Sequence, residues 1–494
     1  MCMSSLSVLL NNIVDVPSVF DVALHGLTTD SREVKPGDVF VAVSGARTSA
    51  DHYIEDAIAA GAVVILLETV EAQGCYEQHG ALIVSVPELK RKLGVIADRF
   101  YRSPSSEMDV IGVTGTNGKT SVTHYLSQLL SFAGHTCGVI GTLGYGVGGQ
   151  MTASTHTTPD VVRINRALRR IRVSGGKAVA MEVSSHALDQ GRVDDISIRG
   201  AIFTNLTRDH LDYHGTMDAY GEAKKLLFRR DGLEFAVINF DDPFGRQLYD
   251  QLEGECDRIR YSLHEPQTEL WLKSLRTHAD GFDAQFDGKW GLIDVSAPLM
   301  GSFNISNLLA AMAAALQLGV SIDDVQAGAR RLIPPPGRLE RFAGASGVSV
   351  VVDYAHTPDA LSNALEALKP HVEGRLWCVF GCGGDRDSGK RPEMATIAEK
   401  LADRVVVTDD NPRSEEPGAI VDQIMTGFSR PEVAQVVHDR EAAIRQAVFE
   451  AAPGDVVLVA GKGHETYQEI RGERFDFSDA GVVRQALVDR EGER

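Results

Sequence analysis

The run Gly112-Val-Thr-Gly-Thr-Asn-Gly-Lys-Thr-Ser121 constrains this chain more than any other stretch. An apolar segment, Val110-Ile-Gly-Val113, leads into it and a helical pattern leaves it, so it reads as strand, glycine turn and helix start. In that setting glycines let backbone N–H groups converge on phosphate oxygens, and the helix start adds positive dipole. Lys119 supplies a charge and the Thr120 hydroxyl can reach Mg²⁺. Gly115, Thr116, Asn117, Gly118, Lys119, Thr120 and Ser121 are therefore candidate nucleotide-phosphate residues. The usual phosphate-loop spacing would place glycine at 113, where Val113 stands, so the loop is a shortened variant. An ordinary strand-turn-helix glycine loop is the alternative reading. Asp212-Tyr-His-Gly215 fits one GTPase switch motif, but no guanine-reading [NT]-K-x-D occurs. Gly144-Tyr-Gly-Val-Gly-Gly149 matches G-x-G-x-x-G without a convincing helix after it, and is expected to be a mobile loop.

At 494 residues the chain has room for roughly three domains of about 150 residues. Turn-rich stretches divide it. Tyr101-Arg-Ser-Pro-Ser-Ser106 closes a first segment, and Pro334-Pro-Pro-Gly337 opens a third, since three prolines cannot continue a helix. The expected domains are 1–105, 106–333 and 334–494. In the middle segment the runs Ala178–Glu182, Ala201–Phe203 and Phe235–Ile238 alternate with helical stretches, which predicts a mostly parallel α/β sheet. Residues 269–300, alternating around Gly281 and Gly288, predict antiparallel hairpins at its edge, followed by a helix over Asn304–Leu318. The third segment repeats the α/β pattern with runs at 349–352, 376–380, 405–407 and 456–459, as a Rossmann-like domain would.

Charge and composition exclude other classes. Forty-nine basic against 68 acidic residues leave a net charge of −19, which repels a nucleic-acid backbone. The longest nearly apolar run, Ala57–Leu67, falls well short of the ~20 residues of a membrane-spanning helix. No Lys or Arg precedes Arg32, so no secretory n-region is expected, and the 6 cysteines form no C-x-x-C pair. A cytoplasmic multidomain enzyme, with no nucleic-acid partner and no membrane insertion, is the expectation.

Two acidic and histidine clusters follow strand runs: Glu182 in Met181-Glu-Val-Ser-Ser-His-Ala187, and His210 in Asn205-Leu-Thr-Arg-Asp-His-Leu-Asp-Tyr-His214. Both should emerge at the carboxyl ends of parallel strands, the edge that carries the phosphate loop. A carboxylate and an imidazole there could hold Mg²⁺ beside Thr120. His186 and His214 read as structural.

Gly115-Thr-Asn-Gly-Lys-Thr120, Met181-Glu-Val-Ser-Ser-His186, Asn205–Asp212, Gly301-Ser-Phe-Asn-Ile-Ser-Asn307 and Asp353-Tyr-Ala-His-Thr-Pro358 together resemble the Mur ligases of peptidoglycan synthesis. The resemblance spans all three segments. It implies a cytoplasmic, ADP-forming acid–amino-acid ligase serving cell-wall biogenesis, with an N-terminal UDP-sugar domain, a central ATP domain and a C-terminal amino-acid domain. In such an enzyme ATP phosphorylates the D-glutamyl γ-carboxylate of UDP-MurNAc-L-Ala-D-Glu, and an amine displaces phosphate from the acyl phosphate. Closure of the third domain would keep water from that intermediate. Asp410-Asn-Pro-Arg413 resembles the signature of members that add meso-diaminopimelate; a relative adding L-lysine is the alternative.

Carried over by position, Lys119, Lys224 and His210 are implied as catalytic, and Thr120, Glu182, His210 and Lys224 as holders of two Mg²⁺ ions, Lys224 in carbamate form. Lys225 beside it leaves the register open. Asn304, Arg338 and Asp353 are implied as ATP contacts, with Arg341 a possible substitute for Arg338. Thr29, Ser31, Thr157, Thr158, Ser184, Gln190 and Arg192 are implied for the UDP-sugar dipeptide. His156, where the family commonly has Asn, is a weak candidate, and the loop Gly45-Ala-Arg-Thr48 departs from familiar members. Arg386, Asp410, Asn411, Pro412, Arg413, Gly461 and Glu465 are implied for diaminopimelate. Physically, the planar Arg413 fork can grip a distal carboxylate that lysine lacks, and Glu465 can pair with the distal ammonium.

Overall fold

The computed structural model describes residues 4–43, 53–70, 74–154 and 156–492. The chain forms two compact units, one built mainly from residues 1–261 and the other mainly from 262–494. Among the described residues, no helix is long and apolar enough to cross a membrane.

The first unit holds two large sheets beside a short antiparallel pairing of Ser4–Ser5 with Ala23–Leu24. In the N-terminal one, Gly26–Thr28, Asp38–Ala42, Val64–Thr69 and Ala81–Pro87 run parallel, with Cys75–Gln78 antiparallel at the rim. In the second sheet, six strands lie parallel in the order Cys137–Gly141, Ala178–Glu182, Asp109–Thr114, Gly200–Phe203, Phe235–Asn239 and Asp257–Ser262. The strand feeding the glycine turn is therefore central and covered on both faces, which is why Val110, Ile111 and Val113 form an unbroken apolar run. The anticipated mobile loop at Gly144–Gly149 is instead a hairpin: Gly144–Val147 pairs with Gln150–Thr152. Gly148 and Gly149 take φ of +58° and +83°, the left-handed pair that a tight two-residue hairpin turn demands.

In the second unit, Leu270–His278, Gly281–Gly288 and Ile293–Ala297 form the expected antiparallel hairpins. The helix anticipated after them runs Ser302–Gln317. A further sheet has the order Glu340–Ala343, Ser349–Asp353, Val456–Ala460, Leu376–Phe380, Arg404–Val407 and Ala434–Val436, parallel except for the first strand. Separate apolar layers pack on its two faces, one around Leu361, Phe380 and Ile424, the other around Trp377, Ile444 and Leu487. This doubly covered sheet matches the Rossmann-like expectation and aims the carboxyl ends of three adjacent strands, those ending at Ala460, Phe380 and Val407, to one edge.

Candidate active site

The glycine turn is held open by its neighbours. Gly115 has φ +148°, and a Cβ there would lie 1.9 Å from Thr204 Oγ1, so only glycine fits. The Thr204 hydroxyl donates to Asn117 O at 2.6 Å, and Asn117 N donates to Asn205 Oδ1 at 2.9 Å. Gly118, at φ +86°, starts the helix Lys119–Phe132 with no side-chain cap, leaving its first N–H groups for a ligand. Lys119 Nζ donates to the carbonyls of Gly115 at 2.8 Å and Thr116 at 2.9 Å, so the ammonium sits inside the turn.

Glu182 ends its strand opposite Val113 and is 1% exposed. Oε2 accepts the hydroxyls of Thr120 and Thr142, each at 3.1 Å, and Oε1 accepts the Thr142 N–H at 2.8 Å. Burial pushes this carboxyl above its usual value, opposed by the Lys119 cation and these hydrogen bonds. A buried carboxylate met by neutral hydroxyls, beside a phosphate turn, is a hard oxygen donor set that fits Mg²⁺.

Lys224 and Lys225, at the end of the helix Met217–Lys225, point to different partners. Lys224 is the one beside the turn. Its Nζ donates to Gly115 O at 2.9 Å and stands 4.3 Å from the Tyr220 ring centre. Lys225 instead bonds Glu222 Oε1 at 2.6 Å. Burial, with the nearby Lys119 cation, holds the Lys224 ammonium well below its usual pKa. A buried neutral amine is the form that adds CO₂ to give a carbamate. His210 lies in a ring cluster, its imidazole 4.9 Å from that of His186 and 6.0 Å from Tyr220, centre to centre. Its Nε2 is 3.5 Å from Asp209 Oδ2. Among the described residues, no three His, Cys, Asp or Glu side chains are gathered as a ready metal site. Thr120 and Glu182 are bonded to one another beside the turn, and Lys224 bonds its Gly115 carbonyl. His214 Nε2 lies 3.0 Å from Ser185 Oγ, and His186 packs in the same ring cluster.

Five of the implied sugar-peptide residues form one hydrogen-bonded set beside Glu182. Thr157 Oγ1 accepts from Thr142 Oγ1 at 3.1 Å, and Thr158 Oγ1 donates to Glu182 O at 2.9 Å. Ser184 N donates to Thr158 Oγ1 at 3.0 Å, while the Ser184 hydroxyl caps the helix Ser185–Asp189. Arg192 reaches Thr158 O at 2.9 Å and Gln190 Oε1 at 2.5 and 2.9 Å. Thr29 and Ser31 lie elsewhere in this unit, flanking Asp30. Hydrogen bonding by Arg32, aided by Arg163, lowers the Asp30 carboxyl to about 2. Arg163 also donates to Glu33 at 2.7 Å, so the helix Val161–Val173 pins this segment. His156 is exposed, its N–H and carbonyl engaged with Ser154 Oγ. Gly45–Thr48 lies outside the described residues.

In the second unit, Asn304 is buried, with Nδ2 donating to Met300 O at 2.9 Å. The Arg338 guanidinium lies 5.0 Å from the Tyr354 ring centre, whereas Arg341 donates to Asp280 at 2.7 Å. Asp353 accepts the Leu339 N–H at 2.8 Å, and burial raises its carboxyl to about 6, against the pull of Arg338. A carboxyl raised from 3.8 to about 6 binds its proton more tightly when folded. Its charge therefore costs stability, a penalty absent below about pH 4 and complete above about pH 6. We expect Asp353→Asn, which keeps the acceptor for Leu339, to gain about 1–2 kcal/mol relative to the parent between pH 4 and pH 7.5. Denaturant unfolding at both pH values checks this; an equal difference at the two would refute it.

Asp410, Asn411, Pro412 and Arg413 follow the strand Arg404–Val407, and Gly461 and Glu465 follow Val456–Ala460. The two loops join through side chains: Asn411 Nδ2 donates to Glu465 Oε2 at 2.9 Å. Lys462, fully buried, donates to Asn411 Oδ1 at 2.8 Å and Glu465 Oε2 at 3.1 Å. Arg413 is no solvated turn residue. It adopts φ +53°, its N–H bonds Glu469 O at 3.0 Å, and its Nη1 donates to Gly384 O at 2.6 Å. Arg386 is exposed on the adjoining turn after Leu376–Phe380. The buried Arg391 braces that turn, reaching Gly383 O at 3.2 Å and both Glu415 oxygens at 2.9 Å. Sequence reading passed over Lys462, Arg391, Thr142 and Asn205. Lys462 carried a signal as the cation inside Gly461-Lys-Gly-His-Glu465, and Asn205 as the first residue of the Asn205–Asp212 motif.

Comparison with known proteins bears on both units. Residues 23–101 match the family model "Mur ligase family, catalytic domain", 113–315 the "Mur ligase middle domain", and 337–463 the "Mur ligase, glutamate ligase domain". A protein of Alkalilimnicola ehrlichii named UDP-N-acetylmuramoyl-L-alanyl-D-glutamate--2,6-diaminopimelate ligase is 48% identical over 99% of this chain and 100% of its own. A Pseudomonas aeruginosa protein of the same name is 48% identical over 95% and 96%. A solved structure of a ligase of that name superposes with TM-score 0.74 at 35% identity, over 99% of both chains. The MurF ligase of Thermotoga maritima, solved with ADP, shares the fold at TM-score 0.61 and 20% identity, over 95% and 99%. With three family models covering most of its length and near-full-length relatives at 48% identity, this chain belongs to the Mur ligase family.

Proposed function

We propose that this protein is an ATP-dependent amide ligase that joins meso-2,6-diaminopimelate to UDP-MurNAc-L-Ala-D-Glu, a step of peptidoglycan precursor synthesis. The observation that carries the amino-acid assignment is the pocket at the carboxyl strand ends. There the Arg413 guanidinium is oriented by Gly384 O, and Glu465 is held by Asn411 and Lys462. The full-length relatives named for the same reaction support it.

The chemistry follows from the first unit. A carboxylate is a poor acyl donor because its oxygen is a poor leaving group. In the proposed reaction a γ-carboxylate oxygen attacks the ATP γ-phosphorus, and ADP leaves. The diaminopimelate amine then adds to the acyl carbon and loses a proton, and phosphate departs with the original carboxylate oxygen. The N–H groups of the Gly115–Thr120 turn and the Lys119 ammonium would offset charge on the transferring phosphoryl group. Thr120 and Glu182, with Lys224 as a carbamate, would hold Mg²⁺, which would neutralise phosphate charge. We assign two ions, with His210 serving the second, and Asn304, Arg338 and Asp353 the adenine, phosphate and ribose. Thr29 and Ser31 would take the uridine side, and Thr157, Thr158, Ser184, Gln190 and Arg192 the muramoyl peptide. Arg386 would hold the second diaminopimelate carboxylate, with Asp410, Asn411, Pro412 and Gly461 shaping the pocket. The domain limits at 105/106 and 333/334, a monomeric state and a cytoplasmic location belong to the same proposal.

Labelling the γ-carboxylate with ¹⁸O tests the route. One label should appear in the released phosphate, and unlabelled phosphate would rule out the acyl phosphate. Arg413→Ala should lose about 2–3 kcal/mol of diaminopimelate recognition, the scale of hydrogen bonds to a charged group. It would be read as a fall in kcat/KM for diaminopimelate. Unchanged kinetics would refute the pocket assignment.

A further inference from the structure

The pocket loops are joined at the front by Asn411, Lys462 and Glu465. Behind them lies a charged pair that none of the binding assignments uses. Arg440 opens the helix Arg440–Glu450 and Asp479 opens Asp479–Gly492. Arg440 is 2% exposed and Asp479 is fully buried. Nε and Nη2 of Arg440 each donate to one Asp479 oxygen at 2.7 Å, a two-pronged pair. The same guanidinium reaches two main-chain carbonyls: Nη2 to Ala460 O at 3.0 Å and Nη1 to Asp409 O at 3.4 Å.

Those carbonyls are well placed to matter. Ala460 immediately precedes Gly461 and Asp409 immediately precedes Asp410, so one side chain fixes the roots of both pocket loops. These loops leave strands that are not neighbours in the sheet, since Leu376–Phe380 lies between them, and no strand-to-strand ladder sets their spacing. The approach is close: a Cβ on Gly461 would lie 2.5 Å from Asp410 Oδ2 and 3.8 Å from Arg440 Nη2. Burial opposes the Arg440 charge, but Asp479, Asp410 and Glu465 outweigh it and raise its pKa. The pair is also expensive as a stability device. Two buried charges gain little over apolar residues of like volume, so its retention points to a geometric task.

We infer that Arg440, oriented by Asp479, is a positioning residue that sets the spacing of the Asp410–Arg413 and Gly461–Glu465 loops, and hence the recognition of the amino-acid substrate. The inference rests on the proposed ligase activity. Its signature is selective, because Arg440 itself bonds no residue assigned to ATP or the UDP-sugar peptide; the one ATP-side link is through the main chain, where Gly461 N donates to Asp353 O at 3.1 Å, a bond already set by the Ser349–Asp353 and Val456–Ala460 ladder.

The test uses the double variant Arg440→Met/Asp479→Leu, which removes the brace without leaving one charge buried and alone. We expect it to fold, with a melting temperature close to the parent's. The KM for diaminopimelate should rise roughly 10- to 100-fold, as displacement of a positioned group does, with KM for ATP and the UDP-sugar dipeptide within about twofold. Arg440→Lys is the second variant. Its ammonium can meet Asp479 but cannot span both carbonyls, so the same KM should rise, by less. If the double variant does not fold, Arg440→Lys decides alone. A folded variant with the parent's diaminopimelate KM would overturn the inference, as would equal shifts in all three KM values. A parent inactive with every amino acid would sink the functional reading instead, a result distinct from an active parent with unaltered variants.

Discussion

Lys119→Ala should lower turnover by roughly 100- to 1,000-fold, the loss seen when one preorganised electrostatic donor is removed from a reacting centre. Lys119 Nζ is held inside the glycine turn by the Gly115 and Thr116 carbonyls, which fixes the cation in the segment that would surround the phosphoryl group. Most of the loss should fall on kcat, because the interaction strengthens as the phosphoryl group transfers. Lys119→Arg should recover little, since a planar fork cannot take the place of a point charge in that space. Steady-state phosphate release, alongside circular dichroism to confirm folding, checks this. Near-parental kcat in a folded Lys119→Ala protein would remove the phosphate role.

Lys224→Ala should lose about 100-fold or more in turnover, on the scale of a lost charged group at the reacting centre. Lys224 is 1% exposed, and burial with the adjacent Lys119 cation disfavours its ammonium form. Carbamate formation joins the neutral Nζ to CO₂ and releases a proton, turning an uncharged amine beside the turn into an anion. That switch makes sense only if positive charge, as Mg²⁺, occupies the neighbourhood. Two measurements separate this from simple packing loss. The parent labelled with ¹³CO₂ should give a carbamate carbon signal that Lys224→Ala lacks, and small carboxylic acids should partly restore the variant. A variant that stays folded, cannot be rescued, and differs from a parent with no carbamate signal would make Lys224 a structural lysine.

The phosphate turn was legible because strand, glycine pattern and helix start are consecutive in the chain, and local conformation alone dictates them. Glu182 was legible for a related reason: an unbroken apolar run that ends in an acid marks a buried strand with its charge at the edge. The Gly144–Thr152 hairpin was misjudged as a loop, although Gly148-Gly149 is itself a tight-turn signal when flanked by residues able to pair. The strand Asp257–Ser262 gave no apolar run because Arg258 and Arg260 alternate with Ile259 and Tyr261, and their guanidinium groups stack on the rings of Tyr249 and Phe240. Least visible were the buried charges. Arg391 and Arg440 would each read as solvated surface residues, and their partners Glu415 and Asp479 lie 24 and 39 positions away. Such pairing is a tertiary property, invisible to periodicity.

The central claim is the amino acid this ligase accepts. Phosphate release from ATP with Mg²⁺ and UDP-MurNAc-L-Ala-D-Glu, measured with meso-diaminopimelate and with L-lysine, tests it most directly. Release with diaminopimelate and little with lysine is the expected result, because Arg413 would have no distal carboxylate to grip on lysine. A preference for lysine would contradict the pocket assignment while leaving the scaffold intact. No amino-acid-dependent release with either would contradict the ligase reading itself.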